Sequence, residues 1–238
     1  MAKDYFEFKQ FVVNQDKCAM KVGTDSVLLG GWVAAEGNLN ILDIGAGTGI
    51  LSLMLAQKTI GRIDAIELDE QAALQAEENF SLSAWCGRLN CYNQSLQEFA
   101  RTVKKRYDLI ISNPPYFSIG IRSDESNRAL ARHTDSLSYN ELVSLSRKLL
   151  QPTGRFTVIV PNDTRKQMIR QFHSNEMWVM REARIRPKEN MEFSRVLFEC
   201  ALKMPAYYSI EEIIVEEKNR YRYHRSFKKY TKDYYLDF

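Results

Sequence analysis

The chain has 238 residues, 45% of them hydrophobic, with 33 Lys/Arg against 30 Asp/Glu and a net charge of +3. That is enough apolar material for one large core or a domain with a small appendage, and no run of about 18 apolar residues marks a membrane span. The opening Met1-Ala2-Lys3-Asp4-Tyr5-Phe6-Glu7 has no apolar leader core, and Cys18, Cys86, Cys91 and Cys200 lack the close pairing of zinc sites, so free thiols in a reducing cytoplasm and no bound metal are expected.

In chain order, the first helix is expected over Asp25–Ala35, capped by Thr24, with Val27, Leu28, Trp32 and Val33 on its apolar face. Asn40-Ile41-Leu42-Asp43-Ile44 reads as a short buried strand running into Gly45-Ala46-Gly47-Thr48-Gly49, with an apolar helix at Ile50–Ala56 directly behind. A second strand, Arg62–Glu67, is followed by Asp69, which can cap a helix from Glu70 to about Ser83. Arg88–Tyr92 is a third strand and Leu96–Val103 a helix. The apolar run Tyr107–Ser112 is the fourth strand and ends in Asn113-Pro114-Pro115-Tyr116. The long segment from Phe117 to Leu137 is polar and partly basic, and loops of that length are often functional. Ser138 starts a helix over Tyr139–Leu150. Gln151-Pro152-Thr153-Gly154 reads as a turn before a strand at Arg155–Val160. A helix from Asp163 to about Ser174 and strands near Trp178–Ile185 and Ser194–Leu202 complete the pattern. Such alternation predicts a doubly wound α/β sheet with helices on both faces and a ligand crevice at the C-terminal strand ends.

Two stretches carry chemistry. Asn113 and the carbonyl of Pro114 can both accept hydrogen bonds from one NH2 group, the prolines stiffen the corner and remove donors, and Tyr116 can stack on a flat ring. The same residues also suit an ordinary strand-ending turn. Upstream, strand, glycine loop and helix form the arrangement in which a ligand approaches backbone at a helix N-terminus. Asp43, two positions before the first glycine, would repel a pyrophosphate but suits an ammonium group. Glu67 stands where an acid reaches ribose hydroxyls. Together they describe a cationic, amino-acid-bearing nucleoside, S-adenosylmethionine.

Leu42-Asp43-Ile44-Gly45-Ala46-Gly47-Thr48-Gly49, then Glu67-Leu68-Asp69, then Asn113-Pro114-Pro115-Tyr116 resembles the motif order of Rossmann-like class I methyltransferases that act on amino nitrogens. Met20-Lys21-Val22-Gly23-Thr24-Asp25-Ser26-Val27-Leu28-Leu29-Gly30, Ala131-Arg132-His133-Thr134 and Lys232-Asp233-Tyr234-Tyr235-Leu236 are similar to segments of the bacterial tRNA1(Val) (adenine-37-N6)-methyltransferase family. The resemblance runs over nearly the whole chain. It implies methyl transfer from S-adenosylmethionine to the exocyclic N6 of a tRNA adenosine, with Asn113, Pro114 and Tyr116 at the acceptor. It also implies a cofactor site built from Thr24, Asp25, Asp43, Gly45, Gly47, Gly49, Glu67, Leu68, Ser95 and Asn113. One departure stands out: the family's third motif usually supplies an Asp for the adenine amino group of the cofactor, and Ser95 occupies that place.

The expected organisation is a methyltransferase domain over residues 1–217, with residues 1–38 covering the cofactor site, and a basic aromatic tail over 218–238. The tail holds Lys218, Arg220, Arg222, Arg225, Lys228, Lys229 and Lys232 against Asp233 and Asp237, so the positive excess of the chain is concentrated there. Two readings of it are open: it tracks RNA, with bases stacked on its aromatics, or it packs those aromatics on the core and leaves the lysines in water. The expected RNA contacts are Arg122, Arg132, His133, Arg222, Arg225, Lys228 and Lys229. His133 is read as a phosphate or loop contact rather than a base, because an aryl amine sheds its proton readily once methylated. A monomer is expected. The rivals are methylation of a release-factor glutamine, whose enzymes normally carry an N-terminal helical domain where only about 40 residues precede the glycine loop; guanine-N2 methylation of rRNA; and an inactive cofactor- or RNA-binding module.

Overall fold

In a computed structural model of the protein, residues 3–37, 39–115, 137–217 and 222–238 are described. The chain opens with a small hairpin, β1 (Tyr5–Glu7) and β2 (Val12–Asn14), followed by α1 (Thr24–Trp32). It then alternates through β3 (Ile41–Ile44), α2 (Ile50–Ala56), β4 (Ile63–Glu67), α3 (Glu70–Ser81), β5 (Leu89–Asn93), α4 (Leu96–Thr102) and β6 (Tyr107–Ser112). After residue 137 come α5 (Tyr139–Leu149), β7 (Leu150–Pro161), α6 (Arg165–Ser174), β8 (Trp178–Lys188), β9 (Arg195–Ala201), β10 (Ser209–Glu216) and α7 (Arg225–Thr231).

The main sheet has eight strands in the order β10-β8-β9-β7-β6-β3-β4-β5. The segment β7-β6-β3-β4-β5 is parallel, β9 runs antiparallel between β7 and β8, and β10 lies parallel to β8 at the edge. The chain order reverses direction between β3 and β6, which makes their C-terminal ends the switch point where α/β sheets bind ligands. Because both faces of the parallel strands are covered, β3 and β6 are almost uninterrupted apolar runs. Ile41, Leu109 and Ile111 face a core shared with α1, α2, α3 and α7, while Leu42, Ile44 and Ile110 face a second core under α4, α5 and α6.

Local capping explains the helix starts. The Asp69 side chain accepts from the Ala72 N–H at the head of α3. Ser95 and Ser138 each form a complete capping box with the glutamate three residues on, Glu98 and Glu141. The first helix differs from expectation: it runs from Thr24 to Trp32, and its N-cap is Gly23, with no side-chain capping bond. It stops where Lys58 donates to the carbonyls of Gly30, Gly31 and Val33, a cation set against the negative end of the helix. Burial lowers the Lys58 amine to about 8.

The expected turn at Gln151–Gly154 is instead part of β7. Tyr107 pairs with Leu150 and the next pair is Leu109 with Arg155, so the Pro-Thr-Gly stretch bulges from the ladder without ending the strand. The β1–β2 hairpin and β10 had no counterpart in the sequence reading. The hairpin strands are only three residues each, too short for a periodic signal, and β10 is a Glu-rich strand at the sheet edge.

The two termini meet. Phe6 and Phe8 lie against Tyr235, Tyr223 stacks on Phe227 with ring centroids 4.8 Å apart, and Lys9 N–H donates to the Tyr234 carbonyl. Phe227 and Tyr234 are buried, while Arg222, Arg225, Lys229 and Lys232 are exposed. Close docking of α7 on α1 requires glycine at residue 31, where an added Cβ would lie 2.0 Å from the Tyr230 carbonyl oxygen. Gly31→Ala is therefore expected to destabilise by about 1–3 kcal/mol and lower Tm by roughly 3–10 °C. Gly87→Ala, whose methyl group meets nothing within 4 Å, serves as the neutral control in the same thermal melt.

Candidate active site

Register places the predicted motifs side by side. Tyr92, Ile66, Ile44 and Ser112 are successive Cα partners across β5, β4, β3 and β6. One residue further on, Asn93 partners Glu67, and Gly45 and Asn113 leave the sheet beside them. At a strand spacing of ~4.8 Å this row forms a shelf of about 14 Å from Asn93 to Asn113. The Ser112 hydroxyl donates to the Ile44 carbonyl at 2.9 Å, tying the acceptor end of the shelf to the glycine loop.

The loop itself is pinned from below. Gly45 and Ala46 N–H donate to the Ile66 carbonyl, and Gly49, at φ 79°, is the N-cap of α2. Gly45 and Gly47 also have positive φ, 73° and 54°, and a Cβ on either would meet nothing within 4 Å. The loop therefore presents bare backbone to open space, the surface a ligand needs for close approach. Glu67 is oriented by two backbone donors: Gly47 N–H to Oε2 at 2.8 Å and Asp69 N–H to Oε1 at 3.0 Å. Each oxygen retains capacity for a hydroxyl donor. Leu68, next to it, is 53% exposed, an apolar surface on the shelf side of β4. Asn93 Nδ2 donates to the carbonyls of both Glu67 and Leu68 and fixes that corner.

Asp43 sits beneath the loop on the face covered by α2. It is fully buried; its Oδ2 accepts from the Ser52 N–H and hydroxyl, and its Oδ1 has no hydrogen-bond partner among the described residues. Burial pushes its carboxyl up to about 7, the Ser52 hydrogen bonds oppose the rise, and the Glu67 charge adds to it. A buried carboxylate with one unsatisfied oxygen under a bare glycine loop suits a cationic ligand. The donor set thus fits S-adenosylmethionine: glycine backbone for close approach, Glu67 for ribose hydroxyls and Asp43 for the ammonium end.

That arrangement has a pH consequence. A bound cation favours the ionised carboxylate, whereas in the free protein Asp43 takes up a proton as pH falls through about 7. Affinity for S-adenosylmethionine is therefore expected to weaken several-fold between about pH 7.5 and pH 6, measured by calorimetry. Asp43→Asn should remove this dependence and leave only that of the ligand's own amine. An unchanged slope in Asp43→Asn would mean that Asp43 does not sense the ligand.

The remaining expected cofactor residues stand differently. Ser95 lies just beyond the shelf, but its hydroxyl is engaged in the α4 capping box, with Glu98 N–H donating to it and Oγ donating to Glu98 Oε2. Asp25 accepts from Arg195 Nε at 2.8 Å, anchoring the start of α1 to β9, and Thr24 is exposed beside it. Both line a cavity of about 330 Å³ shared with Ser194, Arg195 and Glu216. Cys18 is buried, and burial together with the charges of Glu67 and Asp69 pushes its thiol up to about 11, so the N-terminal segment runs close to the acidic end of β4.

At the acceptor corner, Pro114 is buried and Pro115 exposed. Asn113 Nδ2 donates to Ser26 Oγ at 2.9 Å. Tyr116, Arg122, Arg132 and His133 lie outside the described residues. Sequence reasoning missed Ser26, Ser52, Asn93 and Arg195 as partners of Asn113, Asp43, Glu67 and Asp25. Ser26 and Ser52 lie within segments already singled out, but nothing in a linear sequence pairs them with those particular side chains. All four cysteines are free. Among the described residues, no group of His, Cys, Asp or Glu is placed to hold a metal, and no helix is long and apolar enough to cross a membrane.

A mixed sheet, parallel from β7 to β5, that carries a bare glycine loop, Glu67 and Asn113 in one row at its switch point is the framework of a class I S-adenosylmethionine-dependent methyltransferase. Residues 18–185 match the family model described as the methyltransferase small domain. Among solved structures, the fold is similar to that of a predicted O-methyltransferase from Agrobacterium tumefaciens, with TM-score 0.66 and 15% identity over 88% of this chain and 96% of the other. It is also similar to a ribosomal protein L11 methylase from Lactobacillus delbrueckii subsp. bulgaricus, with TM-score 0.57 and 15% identity over 79% and 83%.

Among curated proteins the likeness is much closer. The chain is 42% identical to the tRNA1(Val) (adenine(37)-N6)-methyltransferase of Parabacteroides distasonis over 99% of both chains. It is 40% identical to that of Pectobacterium carotovorum over 99% of this chain and 95% of the other. The chain belongs to the tRNA1(Val) (adenine(37)-N6)-methyltransferase family.

Proposed function

We infer that this chain transfers a methyl group from S-adenosylmethionine to the exocyclic N6 of adenosine 37 in tRNA1(Val). The observation that carries the reading is the emergence of Asn113 beside Gly45 from adjacent strands, in a chain that belongs to this family over its full length. Bound S-adenosylmethionine supplies an electrophilic methyl carbon on a sulfonium sulfur. The protein's task is to bring an amine in line with it, since proximity and alignment supply much of the rate in such displacements.

The adenine N6 lone pair is conjugated into the ring. The carbonyl oxygens of Asn113 and Pro114 accept its two hydrogens and favour a more tetrahedral, electron-rich nitrogen, an interaction that strengthens as the transition state forms. Tyr116 holds the base by stacking once it has turned out of its neighbours. Glu67 orients the ribose, Gly45 and Gly47 accept close approach, Gly49 instead makes room for Phe80 and Ala76 of α3 where α2 begins, and Asp43 favours the ammonium end. Leu68 and Ser95 border this site, with Ser95 acting through the head of α4 rather than by a free hydroxyl. Thr24 and Asp25, which line the separate cavity beside Arg195 and Glu216, serve it by starting the helix that carries Ser26 to Asn113. A tRNA substrate supports a cytoplasmic enzyme, and a monomer is proposed as its working unit.

Arg222, Arg225, Lys228 and Lys229, with Arg122, Arg132 and His133, are proposed to meet the RNA backbone. The packing of Tyr223, Phe227 and Tyr235 against one another favours phosphate contact by the tail over base stacking. Replacing Arg222, Arg225 and Lys229 together by glutamine should weaken tRNA binding about 10-fold or more and flatten its dependence on salt, while S-adenosylmethionine affinity stays the same. An unchanged salt slope in a filter-binding titration would remove the tail from the RNA footprint. The function itself is tested by incubating the purified protein with labelled S-adenosylmethionine and a tRNA1(Val) transcript. Label is expected on the transcript and absent when adenosine 37 is replaced by guanosine; equal labelling of both would overturn the assignment of the acceptor.

A further inference from the structure

The serine in Gly23-Thr24-Asp25-Ser26 reaches the acceptor corner from the first turn of α1 and bonds the Asn113 side chain. Its Oγ accepts from Asn113 Nδ2 at 2.9 Å across 87 residues of sequence, and both groups are partly buried. We propose that Ser26 is a positioning residue for the methyl-transfer step, selecting the rotamer of the Asn113 carboxamide that aims its carbonyl oxygen at the acceptor amine.

A carboxamide has a donor end and an acceptor end of nearly equal size, and only the acceptor end suits an NH2 group that must give up its hydrogens. Turning the amide over would present two N–H donors to the amine and oppose the reaction. A serine hydroxyl can accept from Nδ2 or donate to Oδ1. In the structure it accepts from Nδ2, the arrangement that turns the oxygen away from α1 and that an amine donating to Oδ1 also demands. The serine is in turn held by its helix. Its neighbour Asp25 is ion-paired to Arg195 on β9, Val27 and Leu28 are buried, and Lys58 holds the carbonyls at the far end. The first turn of α1 is thus fixed relative to the end of β6, and that rigidity is what an orienting hydrogen bond needs. The inference rests on the reading of Asn113 as the acceptor of the substrate amine.

Ser26→Ala tests it, assayed in the full-length protein with tRNA1(Val) and compared with Ser26→Thr and Asn113→Ala. Loss of one orienting hydrogen bond is expected to lower kcat about ten-fold. The KM for tRNA, the Kd for S-adenosylmethionine and the Tm should remain those of the wild type. Ser26→Thr, which keeps the hydroxyl, should recover kcat to within about two-fold. An unchanged kcat in Ser26→Ala would overturn the proposal. So would a loss that appears equally in S-adenosylmethionine affinity and Tm, which marks a structural role, or one that Ser26→Thr fails to recover. If Asn113→Ala itself retains full turnover, the fault lies in the reading of Asn113 and not in the link to Ser26.

Discussion

Asn113→Ala is expected to lower kcat for methyl transfer by roughly 10²–10³-fold or more, the scale seen when one preorganised polar group is removed from a reaction centre. S-adenosylmethionine affinity should stay within a few-fold of wild type. The split follows from position. Asn113 leaves the end of β6 next to the glycine loop, but the loop is pinned by the Ile66 carbonyl and Glu67, neither of which depends on the carboxamide. Its bond to Ser26 Oγ is only partly buried, so water can satisfy the serine hydroxyl when alanine replaces Asn113. Single-turnover kinetics with saturating tRNA separate the two quantities. Full turnover in the variant would remove Asn113 from the chemistry.

Glu67→Ala should fail in the opposite way. Its carboxylate anchors Gly47 N–H and Asp69 N–H and faces the shelf where the ribose is placed. Losing it removes charge-assisted hydrogen bonds to the ligand and frees the loop that carries it. Each such bond contributes about 1.5–3 kcal/mol, so a rise of about 10²-fold in the Kd for S-adenosylmethionine is expected. At saturating cofactor, kcat should recover to within a few-fold. Glu67→Gln keeps one acceptor oxygen and should lose roughly ten-fold. Calorimetric titration reads both, and a Kd for Glu67→Ala equal to wild type would move the ribose contact elsewhere on the shelf.

Much of this site could be read from the sequence because its parts are local. A strand that ends in Gly45-Ala46-Gly47-Thr48-Gly49, an acid at the end of the next strand and Asn113-Pro114 after the fourth each announce a strand terminus. Parallel register then brings strand termini into one row without further instruction. Asp43 was legible for a different reason: an acid two positions before the first glycine, inside the end of an apolar strand, suits a cation beside the loop, whereas its bonds to Ser52 were not visible in the sequence.

What stayed hidden are the contacts between distant segments. No linear signal joins Ser26 to Asn113 or Arg195 to Asp25, because those pairings are set by where α1 docks on the finished sheet. Ser95 shows the reverse. Motif expectation assigned it to the cofactor, while the plain Ser-Leu-Gln-Glu pattern at residues 95–98 already spelled a capping box, and the hydroxyl is used there. The aromatic tail was ambiguous in sequence since the same tyrosines can stack on bases or on each other. The proximity of the N-terminal hairpin, with Phe6 and Phe8 facing Tyr235, is what packs them together. The edge strand β10 escaped notice because a Glu-rich, half-exposed strand lacks the alternation that identifies its buried neighbours.

The central claim, methylation of N6 at adenosine 37 of tRNA1(Val), is tested most directly by mass spectrometry of nucleosides from that tRNA. It would be purified from cells with the gene, without it, and complemented with either wild type or Asn113→Ala. The account predicts N6-methyladenosine at position 37 in the first strain, its loss in the second, and its return with wild type only. An identical modification pattern in all four strains would contradict it and direct attention to a protein glutamine or an rRNA guanine as the acceptor.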